Sequence, residues 1–105
     1  MTRCDVYRVR LPSGRGREQR GARYAVLVQA DELLGLSTAL VAPTSRSVLA
    51  ASFRPEVQVA GSHTRVMVEQ LRALDIQRLD ELAGRLDAAE MREVDEALAL
   101  ILALS

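Results

Sequence analysis

The residues of this chain that could do chemistry begin with a basic run. Gly14-Arg15-Gly16-Arg17-Glu18-Gln19-Arg20-Gly21-Ala22-Arg23 leads directly into Tyr24-Ala25-Val26-Leu27-Val28. Its glycines let the backbone turn tightly, so the run reads as a loop able to bind anions. The last arginine, Arg23, stands at the start of an apolar strand. A guanidinium fixed there presents two parallel N–H donors to phosphate oxygens. Arg15, Arg17 and Arg20 read as steering charges. Glu18 is the nearest carboxylate on the loop, either a proton acceptor or the ion-pair partner of a neighbouring arginine. Two further segments place polar groups beside apolar runs: Ala42-Pro43-Thr44-Ser45 and Val68-Glu69-Gln70-Leu71-Arg72.

Composition bounds what these groups can belong to. A chain of 105 residues, 49% hydrophobic, is expected to form one domain spanning 1–105 with a small core. At this size oligomerisation is a way to bury more apolar surface. No stretch reaches the ~20 apolar residues of a membrane span, and no secretory leader is evident, so a cytoplasmic protein is expected. The single cysteine, Cys4, forms no internal disulfide and reads as a small, partly buried thiol. No metal or other cofactor is implied. The formal net charge of +0 hides a division. Residues 1–30 hold seven arginines against Asp5 and Glu18, a local +5, whereas residues 79–105 hold two arginines against seven acids, a local −5. The basic part can attract phosphate.

The elements that must position these groups follow from periodicity. Asp5 to Leu11 alternates as a half-buried strand ended by Pro12. Tyr24 to Gln29 is nearly all apolar and predicts a central strand. Asp31 to Gly35 predicts one helical turn. Thr38 to Ala42 predicts a buried strand stopped by Pro43, followed by a mobile small-residue loop from Ser45 to Arg54. Glu56 to Val59 alternates, Gly61-Ser62 reads as a turn, and Thr64 to Leu71 as a strand. A short helix within Asp75–Leu82 and a short strand at Ala83–Leu86 precede a C-terminal helix. Asp87 caps that helix with Glu90 three residues on. Met91, Val94, Leu98, Ile101 and Leu102 form its apolar stripe, and Arg92, Glu93, Asp95 and Glu96 its wet face. Leu98 to Leu104 is apolar almost all round, which predicts a partner surface. Short strands with one terminal helix and no crossover helices predict a mainly β fold, a small curved antiparallel barrel.

Five segments, in order, resemble the MazF/PemK family of toxin endoribonucleases. Cys4-Asp5-Val6-Tyr7 resembles the family's opening RGDVY strand, and Arg17-Glu18-Gln19 through Arg23 its GSEQxGxRP loop. Val41-Ala42-Pro43-Thr44-Ser45 is similar to VxPLTS, Glu69 through Leu79 to EQIRTVDKxRL, and Val94-Asp95-Glu96-Ala97-Leu98 to VDEAL. Three departures stand out. Cys4 replaces a glycine, Tyr24 replaces the proline after the arginine, and Thr44 follows Pro43 directly. The resemblance implies an SH3-like, CcdB/PemK-like barrel with a C-terminal helix, a homodimer, and metal-independent cleavage of single-stranded RNA at short sequences that inhibits translation and growth. It also implies neutralisation by a cognate antitoxin's acidic C-terminal segment.

By the same resemblance, Arg23 and Thr44 are the catalytic pair. Attack by the RNA's own 2′-hydroxyl would leave a 2′,3′-cyclic phosphate and a 5′-hydroxyl. A guanidinium with a pKa above ~12 is a poor base at pH 7, so Arg23 is assigned to transition-state stabilisation or proton donation, and the base stays open. Arg15, Arg17, Glu18, Gln19, Arg20 and Ser45 are candidate RNA contacts. Gln70 joins them, since an amide can read a base edge; the alternative is a buried, hydrogen-bonded glutamine. Phe53 either stacks one base or anchors the core. His63, the only histidine, reads as a solvated turn residue. Two other readings compete: a non-catalytic family member, and a CcdB-like toxin that binds gyrase and cleaves nothing. Those toxins carry a tryptophan in their C-terminal tail, and this chain has none.

Overall fold

The difference between an alternating and a continuous apolar strand is how many faces the strand must bury. The computed structural model describes residues 1–11 and 23–104. In it β1 (Asp5–Val9), β2 (Arg23–Leu27), β3 (Thr38–Ser45), β4 (Glu56–Val59), β5 (Ser62–Val66), β6 (Arg72–Asp75) and β7 (Leu79–Arg85) curl into a half-barrel, and α1 (Ala88–Ile101) follows. The strand order is β4-β5-β3-β2-β1-β7, with β6 also on β3. Every pairing between these strands is antiparallel. The fold is mainly β with one C-terminal helix, as the sequence predicts.

β2 from Ala25 and β3 from Val41 are buried on both faces, which explains their apolar runs, whereas Thr38 and Leu40 at the start of β3 are exposed. On one face Val6, Val26, Ala42, Val57, Val59 and Val66 pack against Met91, Val94 and Ala97 of α1. On the other, Val9, Ala25, Leu27, Ala39, Val41 and Leu74 form a second cluster, partly covered by Tyr7, Leu11, Leu34 and Leu79. Each fully buried Val or Leu contributes roughly 1.5–3 kcal/mol. β1 pairs with β7 through register shifts between Val6 and Val9.

Four predicted boundaries move, each for a backbone reason. β3 does not stop at Pro43 but runs on to Ser45. The strand expected from Thr64 to Leu71 ends at Val66, and a 3₁₀ turn at Val68–Gln70 leads into β6. The helix expected within Asp75–Leu82 is only a 3₁₀ turn at Ile76–Arg78; β7 takes up the rest and absorbs the short strand predicted at Ala83. The β4–β5 turn lies one residue earlier than expected. Val59 pairs with Ser62, so the two-residue loop is Ala60-Gly61. Both have positive φ, +52° and +80°, the signature of a type I′ hairpin whose twist matches the flanking strands.

The helix begins as predicted. The Glu90 N–H donates to Asp87 Oδ1 at 2.7 Å, and the Asp87 N–H donates back to Glu90 Oε1 at 3.0 Å. Glu90 Oε2 also accepts the Gln58 N–H at 2.9 Å, which ties the cap to β4. The apolar stripe is shorter than predicted. Met91, Val94 and Ala97 are buried, but Ile101 and Leu102 are 38% and 50% exposed. The helix closes with the Leu104 N–H on Ala99 O and the Ala103 N–H on Leu100 O. Ala103 takes the left-handed conformation, φ +56°, that usually falls to glycine in this motif.

Cys4 shows the same mismatch. Its φ is +86°, in the region that favours glycine. It is also partly buried against the helix-facing cluster, and burial pushes its thiol pKa up, against the pull of Arg85 and Arg3. We expect Cys4→Gly to be more stable than Cys4→Ala by about 1 kcal/mol, inverting the usual order of the two residues. Urea unfolding at one protein concentration tests this; an alanine variant at least as stable as the glycine variant would contradict it.

Candidate active site

Three strands converge where the predicted site residues lie. Arg23 opens β2, while Thr44 and Ser45 close β3. The β2–β3 register pairs Ala25 with Pro43 and Val26 with Ala42. One step further along, Tyr24 stands beside Thr44, and the Thr44 hydroxyl donates to the Tyr24 carbonyl at 3.1 Å. On its other edge β3 meets β5, pairing Thr44 with Val66 and Ser45 with Arg65. Ser45 Oγ accepts the Ser47 N–H at 3.2 Å, a side-chain turn that bends the chain away from the sheet.

These residues line an open groove of about 790 Å³. Among the described residues that line it, Arg23 and Arg46 are the charged ones and none is a carboxylate. Hydroxyls come from Tyr24, Thr44, Ser45, Ser47, Ser62 and Thr64, and Val59 and Ala60 supply apolar wall. Cations and hydroxyl donors without a competing negative charge favour an anionic ligand. Two guanidiniums and several neutral donors fit a phosphodiester, whose charge is spread over two oxygens.

The structure thus brings together Arg23, Thr44 and Ser45. Arg15, Arg17, Glu18, Gln19 and Arg20 lie outside the described residues. Phe53 is not on the groove. It is half-buried against the helix-facing core, with the Arg54 guanidinium 5.2 Å from its ring centroid. This is the anchor alternative rather than the stacking one. Gln70 is exposed in the 3₁₀ turn and not among the groove's lining residues, so it is not the buried glutamine of the alternative reading. His63 is exposed as expected, but it sits in β5 opposite Gln58 rather than in a turn. The loop expected to be mobile is anchored at its far end. Arg54 Nη1 donates to Leu49 O at 3.0 Å, Arg54 Nη2 lies 2.8 Å from Glu69 Oε2, and Arg65 Nη1 donates to Arg54 O at 2.9 Å.

Sequence reasoning missed Tyr24, Arg46, Ser47, Ser62 and Thr64 as groove residues. A signal was present for two of them. Ser62, Thr64 and Val66 share one face of β5, and hydroxyls at inward positions of a buried strand mark where a core opens to a site. Among the described residues no three His, Cys, Asp or Glu side chains converge as a metal site.

Comparison with known proteins decides the family. A family model described as the PemK-like, MazF-like toxin of type II toxin–antitoxin systems matches residues 2–102. The chain belongs to that family. A toxin candidate of Mycobacterium tuberculosis is 41% identical over 104 residues, covering 97% of each chain. Endoribonuclease EndoA of Bacillus subtilis is 34% identical over 109 residues, covering 97% of this chain and 94% of EndoA. In fold, the chain is similar to a mycobacterial endoribonuclease solved with its cognate antitoxin, with a TM-score of 0.84 at 18% identity, covering 100% of this chain and 97% of the other.

For a PemK/MazF toxin, the adjacency of Pro43 and Thr44 raises the question of whether the threonine is displaced. Here it is not pushed out of the sheet: Thr44 is 6% exposed, in register with Val66, and bonded to the strand that carries Arg23. Thr44→Val should lower stability by about 0.5–1.5 kcal/mol through loss of that hydrogen bond, whereas Thr44→Ser keeps a donor for the Tyr24 carbonyl. Equal urea midpoints for the valine variant and the parent would remove the bond from the description of the site.

Proposed function

We propose that this protein is the endoribonuclease toxin of a toxin–antitoxin pair. It cuts single-stranded RNA at short sequences, inhibits translation and growth in the cytoplasm, and is silenced by an antitoxin whose acidic segment covers the groove. The observation that carries this reading is the pairing of Arg23 and Thr44, from separate strands, on one groove whose described lining is charged only by arginines. The name of the Bacillus subtilis relative, an endoribonuclease, supports it.

The reaction needs no atom from outside the RNA. The 2′-oxygen attacks the adjacent phosphorus, the bond from phosphorus to the 5′-oxygen breaks, and the 2′ proton is lost while the leaving oxygen gains one. The products are a 2′,3′-cyclic phosphate and a 5′-hydroxyl. Negative charge grows on the non-bridging oxygens, where a guanidinium fork stabilises the transition state more than the ground state. Arg23 takes that role. Thr44 at rest gives its proton to the Tyr24 carbonyl, so its oxygen lone pairs are open to accept a hydrogen bond from the 2′-hydroxyl. To donate to phosphate it must give up that carbonyl, a rotation about one bond. The described lining offers neither imidazole nor carboxylate as base. Glu18, on the basic loop, is the candidate that remains.

Two measurements test this reading. Incubation with long single-stranded RNA in excess EDTA should give discrete fragments with cyclic-phosphate ends. Arg23→Ala and Thr44→Ala should each reduce the rate about 100-fold or more. Intact RNA from folded wild-type protein sinks the proposal. The protein should also be a homodimer through the exposed end of α1, where Leu100, Leu102 and Leu104 are 59%, 50% and 62% exposed. Leu100→Glu with Leu102→Glu should then sediment as a monomer, and an unchanged sedimentation coefficient would place the interface elsewhere.

A further inference from the structure

The groove has a half that phosphate chemistry does not use. On the helix-facing side of the sheet, alternate residues form rows: Val26 and Tyr24 on β2, Ala42 and Thr44 on β3, Val66, Thr64 and Ser62 on β5. The cross-strand pairs Thr44 with Val66, Val57 with Thr64 and Val59 with Ser62 set these side chains shoulder to shoulder. Followed one way, the rows are aliphatic core. Followed toward the groove, they turn to hydroxyls.

Thr64 is the telling position. It is only 6% exposed, a place that valine fills on the neighbouring strand, yet it lines the groove. The hydroxyls of Ser62 and Thr64 make none of the side-chain hydrogen bonds found among the described residues, in contrast to Thr44 beside them. The Thr64 hydroxyl is not among the buried unsatisfied atoms of the described residues, so in a side chain otherwise packed away it opens to the groove, where a ligand or water can bond it. Around these hydroxyls the walls are apolar: Val59, Ala60 and the half-buried Tyr24, which packs against the core. The Ala60-Gly61 hairpin holds one wall in a tight turn rather than a long loop. Aromatic and aliphatic walls with a few hydroxyls suit a planar heteroaromatic ring read along its edge.

We infer that Tyr24, Val59, Ser62 and Thr64 form a pocket for the nucleobase next to the cleaved phosphate, and that residue 24 sets which base is accepted. This rests on the RNA-cleaving reading above. Tyr24 is joined to Arg23 by a peptide bond, and its carbonyl holds the Thr44 hydroxyl. A base seated against Tyr24 is therefore placed beside the phosphate held by Arg23. Base recognition and cleavage share one short segment of β2.

The test uses the full chain with Tyr24→Leu, Tyr24→Phe and Thr64→Val variants, each checked for folding by circular dichroism. One arm cleaves a pool of single-stranded RNA with randomised positions and sequences the fragment ends. The other selects bound sequences from a 2′-O-methyl version of the pool, which cannot be cut. Wild type should prefer one base at a position adjoining the cut. Tyr24→Leu should reduce that preference about 10-fold or more, Tyr24→Phe should retain it, and Thr64→Val should alter the ranking at the same position alone. Unchanged preferences in both Tyr24→Leu and Thr64→Val overturn the pocket, as does a wild type without preference in either arm. Absence of cleavage together with a Tyr24-dependent preference among bound sequences sinks the nuclease reading and leaves the pocket standing. If Tyr24→Leu does not fold, Thr64→Val, which conserves volume, carries the decision.

Discussion

The groove depends on β3 continuing as a strand through Pro43. Proline has no N–H and is normally excluded from a central strand because it breaks the ladder. Here the loss falls where no ladder bond is owed. β3 changes partners on one edge at this point: β6 lies opposite Thr38–Val41, and β5 lies opposite Thr44–Ser45. The nitrogen of Pro43 faces the gap between those two strands. Its carbonyl accepts the Met67 N–H at 2.8 Å, just past the end of β5. With Pro43 accommodated, β3 carries Thr44 alongside Tyr24 and Ser45 toward Arg65. A strand broken at Ala42 would leave Thr44 on a loop, without the fixed relation to Arg23 that phosphate chemistry requires. Positional error of about 1 Å at a reacting group can lower a rate by roughly 100-fold, so catalytic side chains belong on rigid elements.

The same continuity makes the site an extension of the core rather than an addition to its surface. The aliphatic rows of β2, β3 and β5 become hydroxyl rows without any change in backbone direction. Packing that holds Val26, Ala42 and Val66 against α1 therefore also fixes Tyr24, Thr44 and Thr64. The consequence is a stability–function exchange. Thr44, Ser45 and Thr64 are all under 7% exposed; the first two hydroxyls bond within the fold, but at Thr64 an aliphatic residue would stabilise the isolated fold. Its hydroxyl is explained by what the groove must hold.

How much of this was legible in the sequence depended on whether the signal was local. The capping box Asp87–Glu90 and the alternation of β1 and β4 were readable because neighbouring residues determine them. The continuous apolar run of β2 was readable because burial on both faces leaves no alternation. Pro43 misled because its tolerance depends on a partner exchange with β5 and β6, elements about 20–35 residues away in the chain. The turn between β4 and β5 was misplaced by one residue because Ala60 takes a positive φ that its side chain does not advertise. At the site, Arg23, Thr44 and Ser45 were found through a family pattern. Ser62, Thr64 and Arg46 were not, because a single groove built from three strands is a property of register. Phe53 and Gln70 do not line the groove: one packs half-buried against the core and the other is exposed in a 3₁₀ turn.

Register also explains how a formally neutral chain comes to hold a groove whose described lining is charged only by arginines. The carboxylates of α1 are committed elsewhere. Asp95 pairs with Arg3 at 2.6 Å, Glu90 closes the helix cap and reaches β4, and Glu93 and Glu96 line a separate cleft with Arg54 and Arg65. At physiological ionic strength the field of an exposed charge decays over about 8 Å, so groups that do not line a groove do little to neutralise it. The lining, not the formal net charge, is what an approaching ligand experiences. An RNA strand and an acidic protein segment present the same attraction to Arg23 and Arg46. On the function proposed above, the two compete for one field, and silencing the enzyme requires only that the protein segment hold the groove more tightly than a single strand of RNA does.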